Sequence, residues 1–188
     1  MTAGDLTLEP RAFRDVLGLF ATGIAIVVSD CGGEIRAMTA NAVSSLSLDP
    51  MLMLFCPSKK AKLAQHLSEL QHFSINFLRD DQQSLSTYFA GGWKEGPAPP
   101  FRFVPWRGAP RLEGCLAALS CEKQQVIDAG DHWLVVGRVL ALHRGIEPHR
   151  PLLFFRGNYR HIDFFEGGPA PDLQVPDEPP HIFYDPHA

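Results

Sequence analysis

No Lys or Arg follows Asp163, no two cysteines form a Cys-x-x-Cys pair, and no apolar run approaches the length of a bilayer span. The longest apolar stretches, such as Gly23 to Val28, fall far short of the roughly 20 residues a membrane helix needs. The four cysteines, Cys31, Cys56, Cys115 and Cys121, have no histidine at zinc-finger spacing, so no structural metal site is expected. A net charge of -4 supplies no basic field for nucleic acid or for an anionic membrane. The opening MTAGDLTLEP has no basic region followed by an apolar run, so no signal peptide is expected and a reducing cytoplasm with free thiols is the default. Also missing are a G-x-G-x-x-G turn, a P-loop, a G-x-S-x-G elbow and an H-E-x-x-H helix. The eight histidines are scattered and hint at neither a triad nor a metal cage.

What is present reads as one globular domain. At 188 residues, 45% hydrophobic and 20% charged, the chain can bury a core without staples. Pro10 suits the first turn of a helix in which Phe13, Val16, Leu17 and Phe20 fall on one stripe, expected to be buried. Short β-branched or apolar runs predict strands at Ile24–Ser29, Ile35–Thr39, Met51–Cys56, Phe73–Phe77, Leu112–Lys123, Trp133–His143 and Leu152–Phe155. Within the fourth of these, Phe73, Ile75 and Phe77 alternate with Ser74 and Asn76, as on a strand with one face turned inward. Ser58 stands where it can cap a helix reaching about Leu70, with Leu63, Leu67 and Leu70 inward. A further short helix covers Asp80 to Ala90. Gly91 to Pro110, with five prolines, reads as a long loop. The order does not alternate strand with helix. It predicts a mainly β protein, a small antiparallel Greek-key-like barrel with added helices, over residues 1–163. Residues 164–188 form a proline-rich, acidic tail that cannot pack a core of its own.

Three segments carry candidate chemistry. Thr39 to Pro50 is rich in small polar residues and joins two apolar strands. Small side chains let backbone N–H and C=O groups approach a flat ligand, although a plain Ser-rich connection fits the same residues. Cys56-Pro57-Ser58-Lys59-Lys60-Ala61-Lys62 places three lysines at a helix start, which suits a phosphate and otherwise reads as a solvated basic turn. Gly130-Asp131-His132 forms a turn ahead of a strand, where Asp can set the orientation and charge of an imidazole. An ordinary turn has the same composition.

Taken in order, several short pieces resemble one family, the short-chain flavin reductases, which are flavin reductase-like, FMN-binding split barrels. These are Phe20-Ala21-Thr22-Gly23, Met38-Thr39-Ala40-Asn41-Ala42-Val43, Ser47-Leu48-Asp49-Pro50, Phe73 to Leu78, Asp81-Gln82, Phe89-Ala90, Leu112-Glu113-Gly114, Gly130-Asp131-His132 and Pro151 to Tyr159. The resemblance runs from about Arg11 to Ile162. It implies hydride transfer from NADH or NADPH to FMN or FAD, with reduced flavin supplied to a partner monooxygenase. An electron-transfer protein that keeps its FMN and a non-enzymatic flavin-binding module are the alternatives it leaves. It further implies a homodimer with flavin near the subunit junction. Under it, the cofactor is held by Thr39, Ala40, Asn41, Ala42 and Val43, by the phosphate loop with Phe55, Cys56, Ser58, Lys60 and Lys62, and by Phe89 and Tyr159. Asp131 and His132 would lie beside the nicotinamide, His132 orienting it and Asp131 holding His132. The sequence departs from the family after the cysteine, where Ser58, Lys60 and Lys62 stand in place of the usual Asn and Ser or Thr.

Overall fold

The computed structural model describes residues 6–146 and 150–162, so the acidic tail of 164–188 lies outside the described residues. The chain opens with helix α1 (Pro10–Leu17), whose first position is taken by the proline. There follow β1 (Thr22–Gly23), β2 (Ala25–Cys31), β3 (Glu34–Ala40), β4 (Val43–Leu48) and β5 (Met51–Phe55). After a single 3-10 turn at Leu63–His66 come β6 (His72–Phe77), another 3-10 turn at Asp80–Gln82, and helix α2 (Gln83–Phe89). The remaining strands are β7 (Phe103–Val104), β8 (Arg111–Leu112), β9 (Ala117–Ala129), β10 (His132–Arg144), β11 (Leu153–Phe155) and β12 (Asn158–Arg160).

Seven strands make one antiparallel sheet in the order β3-β2-β6-β9-β10-β5-β4, and β1, β11 and β12 make a smaller one. Strands β2, β6 and β9 of the seven-stranded sheet carry buried side chains on both faces. On one face Val27, Leu63, Leu70, Phe73, Ile75 and Val135 surround Phe55, whose ring lies 5.0 Å from that of Phe73. On the other, Ile24, Ile26, Val28, Leu78, Leu112 and Leu152 pack together. Each such side chain, fully buried, contributes roughly 1.5–3 kcal/mol relative to exposure. Gly137 sits where β10 crosses this core. A Cβ there would stand 2.7 Å from Phe73 Cε1 and 2.9 Å from Cys121 Cβ, so only glycine lets the strands approach this closely.

Four expectations need correction. First, β6 turns both faces inward and not one: Ser74 and Asn76 are buried as well, because the loop through Arg107 and Pro110 covers their face. Asn76 Nδ2 donates to Ile26 O and to Ser74 Oγ, and Asn76 Oδ1 accepts from the Leu112 N–H. Ser74 donates to Pro110 O and Ser120 to Arg107 O, so polar side chains substitute for strand pairing along the loop. Second, α1 forms, but its stripe is not buried. Phe13 is 58% exposed and Phe20, beyond the helix end, is 75% exposed, because no other described segment covers them. Third, Ser58 caps no helix. Trp133 N donates to Pro57 O and Lys59 N donates to Asp131 O, which holds residues 57–59 extended against the β9–β10 turn. Helical turns are delayed to Leu63–His66, although Leu63, Leu67 and Leu70 are buried as expected. Fourth, Thr39 to Pro50 is mostly strand, with only Asn41 and Ala42 between β3 and β4.

Candidate flavin and nicotinamide site

A groove of about 840 Å³ opens between the start of β4 and the end of α1. Its walls include Thr22, Gly23, Asn41, Ala42, Val43, Ser44 and Cys56, with Leu17 and Phe20 beside Arg156, whose N–H donates to Gly18 O at 2.8 Å. The wall is positioned by the backbone: Cys56 N donates to Ala42 O at 2.9 Å, and Val43 is in register with Phe55 on β5. Asn41 Nδ2 donates to Thr22 Oγ1 at 3.3 Å, tying the β3–β4 corner to β1. A Cβ on Gly23 would meet nothing within 4 Å, so this wall stays open where a flat ring would lie. Volume, shape and small side chains therefore fit a flavin ring. The Cys56 thiol, half-buried in the wall, is pushed up by burial and is poorly nucleophilic.

Beyond Cys56 the chain meets the β9–β10 turn. Ser58 bridges to His132, and Gly130 takes the positive φ of 71° that the turn requires. At the tip, Asp131 Oδ1 lies 2.7 Å from His132 Nδ1. The hydrogen bond from His132, with its charge, holds the Asp131 carboxyl below the usual carboxylate range, helped by Lys60. Lys59 is committed elsewhere, 2.7 Å from Asp128 and 4.7 Å over the Trp133 ring.

The residues nominated from sequence thus divide. Asn41, Ala42, Val43 and Cys56 line the groove, whereas Ser58, Asp131 and His132 meet one another two residues beyond Cys56 and outside the groove's lining. Lys60 and Lys62 diverge, the first toward Asp131 and the second into another cavity, which Thr39 and Phe89 also line. Thr39 spends its hydroxyl on Ser86 O at 2.6 Å, fastening α2 to β3. Tyr159 acts on the same joint, its hydroxyl 3.0 Å from Ser86 Oγ. Ala40 is buried, and Phe55 has no exposed side chain, so both shape the site from within the core. Thr22 and Arg156 also line the groove and were missed, although both sit in the recognisable pieces Phe20 to Gly23 and Pro151 to Tyr159.

Comparisons with known proteins agree with this fold and groove. Residues 17–163 match the flavin reductase like domain model, and the chain belongs to that family. It is 37% identical over 170 residues to the reductase subunit HsaB of a flavin-dependent monooxygenase from Rhodococcus jostii, covering 87% of this chain and 84% of that one. It is 41% identical over 167 residues to an NADH-dependent flavin reductase from a Rhodococcus species, covering 86% and 93%. The solved flavin reductase PheA2 superimposes with a TM-score of 0.77 at 34% identity, over 84% of this chain and 100% of that one. The architecture is the split barrel of these reductases.

Proposed function

We propose that the chain is a flavin reductase that moves a hydride from NADH or NADPH to FMN or FAD and supplies reduced flavin to a partner monooxygenase. The supporting observation is the junction of an open, small-residue groove with the Asp131–His132 tip through the bridge at Ser58. It is also what the similar reductase subunit and NADH-dependent reductase are named for. The flavin, when bound, supplies the hydride acceptor, and the protein has little acid–base work to do. Asn41 to Val43 present backbone and small side chains along the ring's edge. Ser58 and Lys60 stand toward the phosphate. His132 orients the nicotinamide, and Asp131 fixes the imidazole's orientation. Holding two reactants in line is worth roughly 7–11 kcal/mol of barrier in favourable cases.

The working form we infer is a homodimer. Phe13, Val16, Leu17 and Phe20 expose one apolar surface beside the groove, and Leu46, Leu48 and Met51 expose another on the β4–β5 hairpin at the sheet edge. Apolar surface of this kind on a small protein marks an interface. The cytoplasm is the compartment we infer, since all four thiols are free. Among the described residues, no helix is long and apolar enough to cross a membrane.

The test is oxidation of NADH and of NADPH with FMN, FAD and riboflavin added in turn, alongside light scattering of the same preparation. Flavin-dependent turnover by a particle of twice 20.8 kDa is expected. No turnover with any flavin overturns the reductase reading, and a fully active monomer overturns the dimer.

A further inference from the structure

The tip of the β9–β10 hairpin is poorly supported by its own side chains. A Cβ on Gly130 would meet nothing within 4 Å, and the Asp131 side chain is 94% exposed. His132, half-exposed, bonds that same carboxylate. Its position must therefore be set from outside the tip, through the segment of residues 57–59 that runs beside it. We propose that Lys59 is a positioning residue for His132: its ammonium joins the two strands of the hairpin next to the tip and so sets where the imidazole stands. The proposal rests on the reductase reading above, in which His132 orients the nicotinamide.

The rung below the tip is the first ground. Asp128 on β9 and Trp133 on β10 are register partners, adjacent to the Ala129–His132 pair that closes the turn. Lys59 Nζ reaches both, 2.7 Å from Asp128 Oδ2 and 4.7 Å from the centre of the Trp133 ring. One cation thus spans the hairpin at the rung beside His132. Trp133 packs against the core around Phe55 and Phe73, which ties this grip to filled structure.

The main chain is the second ground. Lys59 N donates to Asp131 O at 3.0 Å, and Trp133 N donates to Pro57 O at 2.9 Å. Lys59 therefore holds the hairpin twice, by its backbone at the residue before His132 and by its side chain at the rung below. Two backbone bonds alone leave the tip free to rock, and the ammonium supplies a further point of attachment.

The third ground is what such a contact does and does not contribute. The Lys59 and Asp128 side chains are partly exposed, and an ion pair in that setting adds little to folding stability. Hydride transfer is far more sensitive to position, since its rate depends on alignment at near-contact distance. A weak contact that fixes geometry beside the nicotinamide acts on rate before it acts on stability.

Rapid-reaction reduction of bound flavin by NADH, measured on the full chain, tests the proposal. Lys59→Met keeps the apolar stem over Trp133 and removes the charge. It should slow hydride transfer by about fivefold, a modest misplacement effect, with the urea midpoint and the affinities for FMN and riboflavin unchanged. Lys59→Arg, able to pair with Asp128 and to stack on Trp133, should keep the rate within about twofold of the unaltered chain. Asp128→Asn should slow transfer as Lys59→Met does, with Lys59 itself left in place. In a His132→Ala background, Lys59→Met should slow transfer no further, because nothing is left for it to position. Normal transfer in folded Lys59→Met, or full additivity with His132→Ala, overturns the proposal. So does a loss of FMN affinity in Lys59→Met with riboflavin affinity kept, which would make Lys59 a phosphate ligand. Normal transfer in His132→Ala alone would instead fail the reading of the tip on which the proposal rests, and the single variants distinguish the two failures.

Discussion

The β9–β10 hairpin is closed around Gly137 and open at Gly130 to His132, although the same two strands form both regions. Near Gly137, backbone and the rings of the core meet at contact distance, and no side chain fits between them. At the tip, a Cβ on Gly130 would meet nothing within 4 Å, and the side chains of Asp131 and His132 bond to each other beside open solvent. The middle of the hairpin therefore holds free energy of folding, and the tip holds chemistry that folding does not need. A change of equal size should have opposite consequences in the two places.

The largest effect is expected from Gly137→Ala. The added methyl must displace Phe73 or Cys121 in a filled core, which costs about 3 kcal/mol, the upper end of ordinary overpacking. Urea denaturation should show the loss, and the folded fraction should keep its KM for NADH. A stability change under about 1 kcal/mol would show that the core around Phe73 yields and would erase half of the contrast.

His132→Ala should do the reverse. Stability should stay within about 0.5 kcal/mol, because His132 is half-exposed at the first position of β10 and its side chain bonds only the exposed Asp131. Reduction of bound flavin by NADH should slow, or its KM rise, by about tenfold, the value of one well-placed charge-assisted contact. A melting temperature that fell while hydride transfer stayed normal would make the tip structural.

The smallest effect is a titration. The bond from His132 lowers the Asp131 carboxyl, so the pair is intact above the ordinary carboxylate value of about 4. It is lost as pH falls through the lower value of the folded protein. In His132→Ala the carboxyl should titrate at higher pH, back toward the ordinary range, as read by NMR of the side-chain carbon. No change would show that Lys60, not His132, sets the charge at the tip.

Much of this contrast is visible in the sequence, because its causes are local. Gly130-Asp131 between two long apolar runs marks a turn, and a turn exposes what it carries. The barrel class follows from strands that do not alternate with helices. What escaped depends on which segment covers which. Alternation shows the inward face of β6 at Phe73 and Ile75 but cannot show that a distant loop buries Ser74 and Asn76 too, Ser74 donating to Pro110 O and Asn76 accepting from Leu112 N. Ser58 reads as a helix cap because nothing nearby shows that the β9–β10 turn claims its neighbours' backbone. The stripe on α1 is correct as periodicity and exposed in the single chain.

The bridge between Ser58 and His132 has a consequence for how two ligands influence one another. On the proposed assignment residues 57 to 59 serve the flavin and the hairpin tip the nicotinamide, and backbone hydrogen bonds join the two segments. Conformational entropy lost when one ligand ordered the joined segments would not be lost again when the second arrived. Each ligand would then raise the affinity for the other by the same factor, as linkage requires.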